Sequence, residues 1–392
     1  MKRIIALALS LTALCCHAQQ IQPEEIPWMV EQNKPAEWYN QQAEAWENVV
    51  AREPQNENAW YNLYKAVKYA NWDNEKGYAK RQAIYERMSK AIPDTYIYHF
   101  CAQDNYDDSI SDAHMERAYQ LMPEDRIFGE EYGTFIAYFW KRGKVKELKE
   151  TAQLYYREQR IPSDLLRYNY NELQCLPKNA IYFGNGDAVL LPKIALQYGM
   201  GVHQDKFMIC ASFLCIPEYY KNVCKQLGIE PEQLNMDDYR SESTWMNYLP
   251  ERIRYIIKQS GRPSYFSPAS LSGGSGLESL KENLYFEGLV LRYSEHPYDN
   301  YARVRENLER NIHLDYLVEP KFIIEPEWQS ANSLACNYFI LLSPLIAKYK
   351  EWNNPERASW LEALLTTALE QSKMREDLKK DCQKYLNKFI QE

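Results

Sequence analysis

From about residue 25 to 165, apolar side chains recur at three- and four-residue steps. Trp60, Leu63, Tyr64 and Val67 mark one such face, and Ile84, Tyr85, Met88 and Ile92 mark another. This is the period of helices that bury a single stripe and leave the rest to water. Pro54, Pro93, Pro123 and Pro162 punctuate the run at separations of 39, 30 and 39 residues. Similar helix ends precede the first three: AWENVVAREP, IYERMSKAIP and MERAYQLMP. The pattern predicts helical hairpins stacked over residues 19–165, each burying a face on its neighbour and together leaving a concave surface.

After about residue 178 the period changes. Ala180–Phe183 is a short apolar run that ends in the turn Gly184-Asn185-Gly186. Asp187 then stands where it can cap a helix from Ala188 to Tyr198. A second apolar run, Lys206–Cys215, precedes a helix near Pro217–Leu227. A helix at Leu249–Ser260 leads into a third strand at Arg262–Phe266, and Tyr285–Tyr293 reads as a further edge strand. Strands alternating with helices predict a small, mostly parallel sheet over residues 166–325. Residues 326–392 return to helices. Asn332–Trp352 forms one, and Asn354 with Pro355 opens the next. Leu361, Leu364, Leu365 and Ala368 line its buried face. The predicted class is α+α/β, with helical hairpins flanking the α/β unit and C-terminal helices after it.

Two resemblances extend this reading. The hairpin segment resembles degenerate tetratricopeptide repeats, with Trp60 and Leu63 at first-helix positions and a proline closing the second helix. It departs from that pattern in its irregular spacing and in Tyr64, which stands where a small residue is usual. The segments NAIYFGNGDAVLLPKIALQYGMGVHQDKFMI, RPSYFSPAS and LYFEGLVLRYS, within Asn179–Glu319, are similar to part of a Bacteroidota family of polytopic membrane proteins. The similar part is that family's soluble C-terminal region. The family is of unknown function and is related to the transmembrane O-mannosyltransferase of plexins. The shared features are Gly186-Asp187, Pro192 and Gln197. The family's transferase chemistry would reside in membrane spans that this chain lacks. The resemblance therefore implies an accessory region, with a link to envelope glycosylation.

Composition narrows the function classes. Lys2 and Arg3 precede an apolar run to Cys16, and the small-residue exit at Cys16-His17-Ala18 completes a signal peptide over residues 1–18. No later segment offers 18 uncharged apolar residues, so the expectation is an exported soluble chain, periplasmic or extracellular, without a transmembrane segment. The net charge of -8 argues against nucleic-acid binding by phosphate neutralisation. Seven cysteines follow residue 18, with no CxxC. This is not a dense disulfide framework, although one bridge is open. The excess of 32 Tyr and 10 Trp reads chiefly as helix packing, with the aromatics near Trp28 and Trp38 as the exposed ones.

Candidate chemistry is sparse. Gly184, Asn185, Gly186 and Asp187 form a candidate ligand-binding turn at the carboxyl end of a strand, where open α/β sheets bind ligands. The helix that follows offers free N–H groups, but neither GxGxxG nor a P-loop lysine is present. Ser272 and Ser275 in SGGSG read as a loop, not as a nucleophile elbow. The histidines have no metal-ligand spacing, so no metal, cofactor or catalytic residue is assigned. Asp108-Ser109-Ile110 makes Ser109 a candidate acceptor for O-glycosylation. The leading expectation is a non-enzymatic adaptor or scaffold binding a protein partner, with a glycan as a further partner. The alternative is an enzyme or glycan-binding protein working at Gly184–Asp187.

Overall fold

The computed structural model describes residues 21–72, 75–104, 108–124, 129–232, 242–271, 277–319 and 328–391. The N-terminal segment 1–18 and the loop Ser272–Gly276 lie outside the described residues. The chain is mostly helical and carries one small mixed sheet. It divides into two compact units: residues 1–26 with 34–121, and residues 27–33 with 122–392.

In the first unit, α1 (Ala36–Arg52), α2 (Glu57–Ala70), α3 (Glu75–Ala91), α4 (Tyr96–Ala102) and α5 (Asp108–Gln120) pack in succession. α2 also meets α4. The expected stripes are its core: Trp60, Leu63, Tyr64, Ile84, Tyr85 and Met88 are all buried. Side chains stop free helix ends from fraying. Asn56 Oδ1 accepts from the Ala59 N–H at 3.1 Å, and Thr95 Oγ1 accepts from the Tyr98 N–H at 3.3 Å. The extended residues 21–26 are held against α1 and α2. Asn62 Oδ1 accepts the Ile26 N–H at 2.8 Å, buried Lys65 donates to the Ile26 carbonyl, and Trp46 Nε1 donates to the Glu24 carbonyl at 2.8 Å.

The second unit begins with α6 (Gly129–Lys141), α7 (Val145–Arg157) and α8 (Ser163–Cys175). There follow β1 (Ile181–Gly184), α9 (Asp187–Ala195), β2 (Phe207–Cys210), α10 (Pro217–Leu227), α11 (Glu242–Ser260) and β3 (Ser264–Phe266). A hairpin of β4 (Leu284–Phe286) and β5 (Leu291–Tyr293) leads to α12 (Tyr301–Arg310) and α13 (Asp315–Val318). The chain closes with α14 (Gln329–Leu334), α15 (Cys336–Leu342), α16 (Pro344–Glu351), α17 (Pro355–Gln371) and α18 (Glu376–Gln391). Asn354 caps α17 as expected, accepting from the Arg357 N–H at 3.3 Å.

Among the described residues the sheet is five-stranded, in the order β2-β1-β3-β5-β4. β1 is parallel to β2 and β3, whereas β5 is antiparallel to both β3 and β4. The mostly parallel expectation is therefore corrected to a mixed sheet. The segment Tyr285–Tyr293 is a hairpin and not one strand. Gly288 turns it at φ +82, a conformation that side chains rarely adopt, and the Glu287 N–H donates to the Val290 carbonyl at 2.8 Å. Trp28, expected exposed, is 8% exposed and packs edge-on against Trp328 with ring centroids 5.3 Å apart. The stretch Gln329–Glu351 has the length and composition of a membrane span, and more than half of its most apolar window is buried inside the structure. Tyr338, Phe339, Leu342, Leu345 and Ile346 on it are core residues.

Candidate functional site at the carboxyl end of the central strand

β1 lies between β2 and β3, so the chain leaves it on one side and returns on the other. That places Gly184–Asp187 at the switch point of the parallel part of the sheet. Each residue of the turn has a local role. A Cβ on Gly184 would sit 2.8 Å from Leu190 Cδ2, so a larger residue there would make the Leu190 side chain of α9 shift. Asn185 Oδ1 accepts from the Ser212 N–H at 2.8 Å, tying the ends of β1 and β2 together. Gly186 has φ +87 with open space around it and occupies the cap position of α9. Asp187 is therefore not the cap. It is the first helical residue and is exposed, where its charge favours the helix dipole.

Pro192 inside α9 has no N–H to give the Ala188 carbonyl four residues back. Asn169 Nδ2 of α8 donates to that carbonyl instead, at 3.0 Å. This repair brings α8 and α9 close and creates a polar cluster in the interior. Glu172 and Lys193, both fully buried, form an ion pair. Tyr182 of β1 donates to Glu172 Oε2 at 3.0 Å, and Tyr168 donates to Oε1 at 3.2 Å. Ser267, just past β3, donates to Oε1 at 3.5 Å. Lys193 spends its three donors on Glu172, on Asn169 Oδ1 at 2.5 Å and on the Val189 carbonyl at 3.0 Å. Burial holds the Lys193 ammonium below its ordinary pKa, and Glu172 opposes that shift. Burial and the Glu172 charge push the Tyr168 and Tyr182 phenols well up. With every lysine proton committed and no exposure, the cluster is built to hold α8, α9 and β1 together.

A second buried carboxylate, Glu287, sits in the β4–β5 turn. Tyr265 and Tyr298 each donate to it at 2.8 Å, while Arg292 approaches at 3.4 Å and Arg303 at 3.8 Å. Tyr155 on α7 is fully buried, and its hydroxyl has no hydrogen-bond partner among the described residues. Burial, then the charges of Asp187 and Glu31, raise its phenol well above the ordinary value.

A cavity of about 130 Å³ is lined by Trp140, Gln197, Tyr198, Lys206 and Met208 among others. Another of about 50 Å³ is lined by Tyr168, Tyr316, Phe339 and Met374 among others. Both fall below the several hundred Å³ usual for ligand pockets, and neither is lined by Gly184–Asp187.

Sequence reasoning missed these clusters. The spacing of Tyr168, Asn169 and Glu172 on one helix was the available signal. It also missed His99 and His114, which the α4–α5 hairpin brings together with their Nδ1 atoms 2.8 Å apart. His99 Nε2 meets Asp94 Oδ1 at 3.1 Å, on the side of the ring away from His114. No group of three or more His, Cys, Asp or Glu able to hold a metal occurs among the described residues. Ser109 is exposed on α5, and Ser272 and Ser275 lie outside the described residues. Compared with known proteins, the chain matches no family model, no curated protein and no solved structure.

Proposed function

We propose that this chain is an exported, non-enzymatic adaptor or scaffold whose tetratricopeptide-like hairpins bind a protein partner in the cell envelope. The observation that carries this reading is a run of aromatic rings on α1, on α2 and just past its end: Trp38, Tyr39, Tyr69 and Trp72. Successive ring centroids lie 5.2, 5.5 and 6.0 Å apart. Tyr39 and Tyr69 are buried, Trp38 is half-buried, and Trp72 is 57% exposed. Lys34 lies 5.5 Å from the Trp38 ring and Lys68 the same distance from the Trp72 ring. Exposed tryptophan on a rigid aromatic base, edged by cations, is the chemistry that concentrates binding energy at protein interfaces. The resemblance of Asn179–Glu319 extends the proposal to a link with envelope glycosylation, and the tripeptide Asp108-Ser109-Ile110 separately makes Ser109 a candidate glycan acceptor.

The test is affinity capture of the chain from Gln19 onward out of its own envelope fraction, with Trp72→Ala and Asp187→Ala alongside. We expect one stoichiometric protein partner with the wild type and with Asp187→Ala. Trp72→Ala should weaken capture on the order of tenfold or more, as loss of an interface anchor does. Capture indifferent to Trp72→Ala would overturn the reading.

A second reading places a small ligand at Gly184–Asp187. The specific observation behind it is Tyr155, a buried phenol without a hydrogen-bond partner among the described residues, within electrostatic reach of Asp187. It requires folded Asp187→Ala to lose binding to a sugar or small-molecule panel that the wild type retains.

A further inference from the structure

The seven cysteines of the described chain differ in their surroundings. Cys101, Cys175, Cys210 and Cys224 are buried, and Cys215 is half-buried. Burial pushes the Cys175 thiol up to about 12 and the Cys210 thiol up to about 11, so both stay protonated and inert. Cys336 and Cys382 are different. Cys336 is the first residue of α15 and half-buried, whereas Cys382 on α18 is 2% exposed. The two helices pack together, and the thiols are close enough for each to shift the other's acidity.

We propose that Cys336 and Cys382 are a disulfide-forming pair, a modification site that staples the C-terminal helix α18 to α15. The order of events follows from access. The hydrogen bond from Cys382 holds the Cys336 thiol below its ordinary pKa, and Cys336 is the one that solvent reaches. Cys336 thiolate attacks one sulfur of an incoming disulfide such as oxidised glutathione, and one glutathione thiolate leaves. Cys382 then loses its proton and attacks Cys336 Sγ, releasing the second glutathione thiolate. One disulfide forms, one is consumed, and the two protons end on the two glutathione thiols. The bridge closes a loop of about 45 residues, long enough for the constraint to matter.

The test equilibrates the purified chain in a glutathione redox buffer, then blocks free thiols and maps the digest without reduction. We expect a linked peptide pair carrying Cys336 and Cys382, with the other five thiols alkylated. Cys382→Ser should instead accumulate glutathione on Cys336. In the oxidised wild type, trypsin should cut at the exposed Lys380, Lys384 and Lys388 about tenfold more slowly, because local opening of α18 is suppressed. Wild-type chain in which Cys336 and Cys382 remain alkylatable, or in which Cys336 keeps glutathione without passing it on, would overturn the pair. That result needs no variant to fold. An unchanged cleavage rate in the bridged chain would overturn the staple.

Discussion

Two buried glutamates are reached by neighbouring tyrosines on one face of the sheet, and the fold treats them differently. Tyr182 and Tyr265 are register partners on β1 and β3, so their side chains leave the sheet on the same side. Tyr182 donates to Glu172 and Tyr265 to Glu287. Glu172 is neutralised by Lys193, which is as buried as itself. Glu287 is neutralised from the rim, by Arg292 with 45% of its side chain exposed and Arg303 with 30%. Both glutamates accept hydrogen bonds from two tyrosines, and Glu172 has a further, longer one from Ser267. What differs is where the cation stands. An interior cation cannot be replaced by water or salt when it is lost, whereas a rim cation can.

Substitutions at these two sites should separate them. Lys193→Met leaves Glu172 charged and buried, and we expect a loss of about 3–5 kcal/mol in denaturant unfolding. Tyr265→Phe removes one donor from Glu287 but spares its arginines. A smaller loss of about 1–3 kcal/mol is expected by the same measurement. Arg292→Ala acts through a half-exposed pair, so solvent screening should hold its cost under about 1 kcal/mol, with high salt erasing what remains. A loss at Arg292 equal to that at Lys193 would end the comparison.

The first unit supplies a titrating contrast to the interior pair. Burial holds both His99 and His114 below the ordinary value of 6.5, and for His114 the charge of His99 adds to this. Below 6.5 the unfolded chain takes up protons that the folded chain refuses. Stability should then fall as pH drops, until the folded histidines themselves titrate, and should be flat above. Melting temperatures from about pH 7.5 to about pH 5 measure this, and His114→Gln should flatten the slope.

Periodicity carried the helical stripes well, because Trp60, Leu63, Ile84 and Met88 are placed by helix geometry alone. The parallel strands were readable as short apolar runs, although the second run, read as Lys206–Cys215, holds a strand only over Phe207–Cys210. The hairpin at Tyr285–Tyr293 was not, because Glu287 and Gly288 sit inside a run that reads as one strand, and only tertiary partners explain the buried charge. Gly186 was singled out correctly as a turn residue, whereas Gly184 closes β1, and the sequence could not say that Gly186, and not Asp187, caps α9. The Glu172–Lys193 pair was unreadable. Nothing in a chain with 54 acidic residues marks one of them as interior, and its partner lies across a tertiary contact. The repair of Pro192 by Asn169 belongs to the same class of information.

The charged cluster beneath the switch point is closed architecture, with its lysine compensating its glutamate and nothing held in reserve. Denaturant unfolding of Lys193→Met beside the double variant Glu172→Gln/Lys193→Met tests it through a sign. The account requires the double variant to be the more stable of the two by about 2 kcal/mol, since removing the stranded charge relieves the cost of burying it. A double variant no more stable than the single one would contradict it.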